Sequence, residues 1–284
     1  MDKRPRVPFQ NLEAAQHSHE AIRFSFGANW RKYVDTLKQD SVEQAIRSLQ
    51  ESFAGNEISG HSFLDIGSGS GLFSLSAYLL GANPVLSVDI DPNSIECTTD
   101  LRTRASSEAS GREWMIRSGS ILDDDFTRRI PRATRVFSWG VLHHTGAMWK
   151  AIENTLDLTQ PGGLCCIALY NRPAHPRMML WLKRLYNRVP SHLKPAMRLG
   201  YGSALALGLL IRGHNPIEYI RKYPDRYRGM SFWRDVEDWL GGLPYEFADA
   251  DAVSSFVQSH GYVLERVQVR SPGGNNEYLI RRPV

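Results

Sequence analysis

Three glycines at alternate positions, Gly67, Gly69 and Gly71, follow directly on the apolar run Phe63-Leu64-Asp65-Ile66, and that juxtaposition limits the fold more than any other feature of the chain. A buried strand running into residues that lack a Cβ predicts a turn able to take positive φ, whose amides a ligand can approach without steric contact. The dinucleotide fingerprint places glycine at the first, third and sixth positions, and the sixth here is Leu72. Asp65 adds a carboxylate beside the turn. Such a charge repels a pyrophosphate and attracts an ammonium or sulfonium group, so the segment favours a cationic nucleoside over a dinucleotide.

A second acid follows at the expected distance. Ala82 to Ile90 reads as the next buried strand, with Asp89 at its carboxyl end, 18 residues beyond Gly71. A carboxylate there can accept hydrogen bonds from both hydroxyls of a ribose. Asp91-Pro92 then opens a helix, with Asp91 as N-cap and Pro92 at the first helical position. Further strands are predicted near 113 to 117, 134 to 140 and 163 to 170, with helices between. That alternation argues for a parallel sheet wound on both faces, with ligands outside the carboxyl ends of the strands.

Asp65 to Gly71, Val88-Asp89, Phe137 to Gly146 and Pro161-Gly162-Gly163-Leu164 together resemble the ordered motifs of class I S-adenosylmethionine-dependent methyltransferases, most closely the small-molecule group that includes quinone-biosynthesis methylases. The resemblance covers residues 60 to 171 and extends to the last strand pair. It implies a doubly wound, mostly parallel seven-stranded Rossmann-like sheet with an antiparallel last strand, and S-adenosylmethionine as cofactor. The cofactor contacts it implies are Asp65, Gly67, Ser68, Gly69, Gly71, Asp89, Ile90, Ser120, Ile121, Ser138 and Trp139. Ser120 departs from the pattern, because the adenine-side position of the family usually carries Asp.

With 284 residues and 42% apolar content, the chain can bury a full-sized core as one elaborated domain. The expected organisation is a helical cap over 1–59 and the cofactor-binding core over 60–171. A basic helical lid over 172–250 follows, and a helix and strand pair over 251–284 complete the sheet. In the cap, Phe24, Phe26, Trp30 and Tyr33 either cross the cofactor mouth or glue the cap to the sheet. About 90 residues separate Tyr170 from the next strand candidate, too many for an ordinary connection. From Arg172 to Met230 twelve Lys or Arg stand against Glu218 and Asp225, a balance of +10 within a net +4. Trp181, Tyr186, Tyr219 and Tyr223 in this lid either wall an acceptor or pack lid helices together.

Cys97, Cys165 and Cys166 lack metal-ligand spacing, and their odd number without a secretion signal points to reduced thiols and a cytoplasmic setting. The longest apolar run, Ala204 to Ile211, is far short of the roughly 20 residues of a membrane span.

Methyl transfer needs a nucleophile held in line with the S–CH₃ bond, and a base only where the acceptor arrives protonated. His143 and His144 follow the fourth strand where the cofactor's methyl would point. Imidazole with an ordinary pKa of about 6.5 can accept a proton at pH 7, and His144 is the preferred base. The expected acceptor is a small organic or lipid-like molecule, anionic in part, methylated at oxygen. Methylation of RNA or another nucleic acid is the disfavoured alternative, since no Asn- or Asp-Pro-Pro-aromatic motif follows the fourth strand. A third reading is a non-catalytic cofactor-binding module whose basic lid touches a membrane surface.

Overall fold

The computed structural model describes residues 26–27, 39–105, 111–223, 231–269 and 274–284. Seven strands form one sheet: β1 (Phe63–Ile66), β2 (Val85–Asp89), β3 (Trp114–Ser118), β4 (Ala133–Trp139), β5 (Thr159–Tyr170), β6 (Val263–Gln268) and β7 (Asn275–Arg281). Their order is β3-β2-β1-β4-β5-β7-β6. The first five pair in parallel, whereas β7 runs antiparallel to both β5 and β6. This is the expected doubly wound sheet. β5 starts earlier than expected, at Thr159, because the Pro161-Gly162-Gly163 segment bulges without leaving the sheet; the register against β4 shifts between Ala133 and Arg135.

Side chains alternate along the strands, so the sheet is buried on both faces. Phe63, Val85, Phe137, Leu164 and Cys166 point to the face covered by α1 (Gln39–Ser52), α2 (Leu72–Leu79) and α3 (Pro92–Ala105), where they meet Leu49, Phe53, Cys97 and Leu101. Leu64, Ile66, Leu86, Val88, Val136 and Ile167 point the other way, against Ile152 and Leu156 of α5 (Met148–Asp157) and Val253 and Val257 of α10 (Ala250–Ser259). α4 (Asp124–Arg128) is a short turn between β3 and β4. Each fully buried side chain of this kind contributes on the order of 1.5–3 kcal/mol. The two core faces therefore fix the strand ends to which the site residues are attached.

In the stretch expected to form a lid, the described residues fold as α6 (Pro176–Arg188), α7 (Lys194–Ile211), α8 (Pro216–Arg221) and α9 (Phe232–Gly241). Tyr186 and Tyr223 are buried there with Phe232, Val236 and Leu240, and Tyr219 packs against them. Trp181 is 62% exposed. All four aromatics therefore serve lid packing or solvent, and none walls the pocket described below. Phe24, Trp30 and Tyr33 of the expected cap lie outside the described residues. Among the described residues no helix is long and apolar enough to cross a membrane. The three cysteines are buried and form no disulfide among the described residues, and burial pushes the Cys165 thiol up to about 12.

Candidate active site

The carboxyl ends of β1, β2 and β4 frame a cavity of about 550 Å³, within the range of nucleoside-sized ligands. A second hollow of about 330 Å³ lies at the opposite edge, lined by Asp157, His260, Gly261, Tyr262 and Arg282, away from the β1 glycine turn and from Asp89.

The turn after β1 is held by its own amides. Gly67 and Ser68 N–H donate to the Val88 carbonyl at 2.7 and 3.0 Å, and Gly69 N–H donates to Asp89 Oδ2 at 2.9 Å. Asp91 N–H donates to Asp89 Oδ1 at 2.8 Å, so Asp89 ties the turn to the start of α3 and keeps lone pairs for a ligand. Burial raises the Asp89 pKa, and these amide bonds pull against that rise. Gly67 and Gly71 have φ of 74° and 81°. A Cβ on Gly67 would stand 2.4 Å from Val141 Cγ1 and Cγ2, and one on Gly71 2.8 Å from the Thr98 Cα. Glycine is thus required twice over, by conformation and by close approach.

Of the residues expected to touch cofactor, Gly67, Gly69, Asp89, Ile90, Ser120, Ile121 and Trp139 line the cavity, as does His144. Asp65, Ser68, Gly71, Ser138 and His143 do not. Asp65 is buried beneath the turn and accepts from Ser74 Oγ at 2.6 Å; the chain continues from Ser87 Oγ to Ser74 Oγ at 2.6 Å and from Trp114 Nε1 to Ser87 Oγ at 2.8 Å. Burial pushes its carboxyl up to about 7, opposed by the Ser74 bond and reinforced by Asp89. It is therefore a partly protonated anchor of α2 and no fixed charge facing a ligand. Ser68 Oγ pairs with Thr98 Oγ1 at 3.1 Å. Ser138 Oγ donates to the Ile66 carbonyl at 2.9 Å and ties β4 to β1. Each of these short polar side chains turns inward because a closer backbone or side-chain partner satisfies it there.

The two histidines separate sharply. His143 is fully buried, accepts from Tyr170 N–H at Nδ1 (3.3 Å), and packs tilted by 36° against the Tyr170 ring with centroids 3.9 Å apart. His144 reaches the cavity wall, with Nδ1 2.7 Å from the Pro244 carbonyl. A carbonyl only accepts, so Nδ1 carries the proton and Nε2 keeps its lone pair. Burial and the Lys183 charge depress the His144 pKa to about 3, which corrects the expectation of a base near 6.5. The imidazole is neutral throughout the physiological range and is a weak base.

Three contributors carried little or no sequence signal for their roles. Phe26 lines the cavity with its ring 4.9 Å from His144, and Gly27 N–H donates to Asp91 Oδ2 at 3.1 Å, which holds this segment over the mouth. Asp91 Oδ1 meanwhile accepts from Asn93 N–H at 2.9 Å as the N-cap. Leu243 closes the lid side. Glu246 is buried and accepts from Gly146 N–H at 2.9 Å and Met148 N–H at 3.1 Å, capping α5. Only the aromatic spacing around Phe26 hinted at its place; Leu243 and Glu246 arrive from about 100 residues away.

Comparisons with known proteins agree with this architecture. Residues 42–112 match the family model of ribosomal protein L11 methyltransferase. An Azotobacter vinelandii protein of that name is 44% identical over 50 residues, 18% of this chain and 17% of the relative. One from Xanthomonas oryzae is 29% identical over 115 residues, covering 34% of this chain and 37% of the relative. The chain thus matches well under half the length of these curated relatives. Among solved structures, an O-methyltransferase family protein from Burkholderia thailandensis superposes with TM-score 0.56 at 12% identity over 97% of this chain and 68% of that one. Magnesium protoporphyrin IX methyltransferase from Synechocystis, solved with bound S-adenosylhomocysteine, gives 0.50 at 12% over 95% and 92%.

The chain has the class I S-adenosylmethionine-dependent methyltransferase fold, and the cofactor of that class is S-adenosylmethionine. The expectation of a small organic or lipid-like acceptor is corrected by the curated relatives, which are named for a ribosomal protein. The motifs of residues 60–171 encode the cofactor half and carry no information on the acceptor.

Proposed function

We propose that the protein is an enzyme that transfers the methyl group of S-adenosylmethionine to a group on a protein acceptor. The observation that carries the reading is the cavity at the carboxyl edge of the sheet, where glycine-turn amides and the Asp89 carboxylate meet. Asp89 accepts from the ribose hydroxyls, Gly67 and Gly69 give the methionine part close backbone approach, and Ser120 and Ile121 border the base. The acceptor class rests on the names of the curated relatives.

The acceptor enters between Phe26, His144 and Leu243. Neutral His144 offers Nε2 as a hydrogen-bond acceptor to a nucleophile that still carries hydrogen, a hydroxyl or an amine, and so aims its lone pair along the S–CH₃ axis. S-adenosylmethionine held by Gly67, Gly69 and Asp89 would supply the methyl carbon, whose bond to sulfur would break as its bond to the nucleophile forms, leaving a neutral thioether. Proton loss follows as the methylated nucleophile gains acidity, so a strongly basic imidazole is unnecessary.

Purified protein, tritiated S-adenosylmethionine and an extract of cells lacking the protein test both parts. The expected result is label in acid-precipitable, protease-sensitive material. Label confined to other fractions overturns the acceptor class, and no transfer to any fraction overturns the activity. His144→Gln should lower turnover by roughly 10- to 100-fold, between the loss of one hydrogen bond and that of a full general base.

A further inference from the structure

Lys183 lies at the centre of α6, yet its side chain is 0% exposed. A buried ammonium is costly unless its hydrogens find acceptors. Its Nζ donates to the Trp239 carbonyl in the last turn of α9, where the unpaired carbonyls and the helix dipole present negative potential. Three ring faces surround the same nitrogen, with centroids 4.6 Å away for Tyr245, 5.4 Å for Trp239 and 5.7 Å for Tyr170. One turn further along α6, Asn187 Nδ2 donates to the Gly241 carbonyl at 2.8 Å. Lys183 and Asn187 thus cap the same helix end from one face of α6.

That helix end leads straight into the residues that hold His144. Gly242 N–H closes α9 on the Asp238 carbonyl at 2.8 Å, and a Cβ on Gly242 would lie 2.7 Å from His144 Cε1. Two residues later the Pro244 carbonyl takes the His144 Nδ1 proton. Two further on, Glu246 N–H donates to the His143 carbonyl at 3.0 Å. Tyr170, one wall of the lysine cage, has its ring 5.3 Å from that of His144.

We propose that Lys183 is the positioning residue of the active site, fixing the tautomer, orientation and charge of His144 through the capped end of α9 and the Gly242–Pro244 segment. The proposal rests on the reading of His144 as the residue that aims the acceptor. Lys183 does not line the cavity, so its effect on the reaction passes through His144. The groups facing it are Tyr170 from β5, Tyr245 from the return segment and the His143-His144 pair, with Asp238 of α9 the carboxylate whose charge favours its ionised form. Burial brings the Lys183 pKa down to about 7, so it still carries charge at the acid pH where His144 titrates.

The test is Lys183→Met, which keeps the stem and removes the charge, followed by ¹⁵N-histidine NMR of the full, cofactor-free chain. In the parent protein His144 should show a protonated Nδ1 and an unprotonated Nε2 down to about pH 4. In the variant its pKa should rise by about one unit, the size of a charge interaction across a few ångströms of protein, and the single-tautomer signal should become a mixture. Thermal stability should change little, because the relief of a buried ammonium offsets the donor that the Trp239 carbonyl loses. A purely structural lysine gives the opposite pair: lower stability with His144 unmoved. That outcome overturns the proposal. Asn187→Ala, which removes half of the cap and no charge, should disturb the tautomer without the pKa shift, and serves alone if the methionine variant does not fold; an unchanged His144 spectrum there is equally contrary. Because the readout needs no methyl transfer, it is independent of the activity assay. If label transfer fails while His144 responds, the functional reading falls and the positioning role stands.

Discussion

Replacing Gly67 with Ala tests the tightest contact in the site. The residue has φ of 74°, where an L side chain costs about 1–2 kcal/mol. Its Cβ would sit 2.4 Å from both Val141 methyls, so Val141 or the turn must shift, and such overpacking costs about 1–3 kcal/mol. The sum, about 2–5 kcal/mol, should appear as a lower denaturation midpoint at unchanged slope in urea. The two parts are separable. Val141→Ala removes both clashing methyls and leaves the dihedral strain and a 2.9 Å approach to the Val141 Cβ, so the double variant should be more stable than additivity predicts by about 1–2 kcal/mol. At Gly71 the nearest atom is the Thr98 Cα, which no side-chain truncation removes, and Gly71→Ala with Thr98→Ser should show little coupling. A Gly67→Ala variant within about 0.5 kcal/mol of the parent, or a cycle with no coupling to Val141, would refute the account of this turn.

Other perturbations follow from the same contacts. Asp65 has its folded pKa raised to about 7, so between about pH 4 and 7 the folded state binds a proton that the unfolded chain has lost; stability therefore falls as pH rises through that window and is flat above it. Asp65→Asn should flatten that part of the profile relative to the parent, and an identical slope in both proteins contradicts the assignment. Asp89→Ala should weaken S-adenosylhomocysteine binding in calorimetry by about 30-fold or more, since two charge-assisted bonds are lost; unchanged affinity removes Asp89 from the ribose site. Glu246→Ala leaves the Gly146 and Met148 amides without their acceptor and should cost about 2–4 kcal/mol in chemical denaturation, with Glu246→Gln closer to the parent.

Sheet order and strand ends could be read in the sequence because period-two burial and glycine turns are local signals. Gly67, Gly69 and Asp89 could be placed for the same reason, since each sits within a few residues of a strand end. Asp65, Ser68 and Ser138 belong to the same motifs, yet their side chains are claimed by Ser74, Thr98 and the Ile66 carbonyl, partners whose proximity exists only after α2, α3 and β4 have packed. The low basicity of His144 is equally hidden, because it comes from burial completed by the tertiary fold and from the charge of Lys183, 39 residues along the chain, against which the bond to the Pro244 carbonyl pulls. The acceptor is not legible for a different reason: the motifs describe the donor, and nothing in residues 172–248 repeats a pattern that names a substrate.

The central claim is that this cavity binds a sulfur nucleoside through Asp89 and the glycine turn. Titration of the purified chain with S-adenosylhomocysteine by isothermal calorimetry, alongside Asp89→Ala, tests it most directly. One site per chain is expected in the parent, with a clear loss of affinity in the variant. Absence of binding to the folded parent, or equal binding by both proteins, would contradict it.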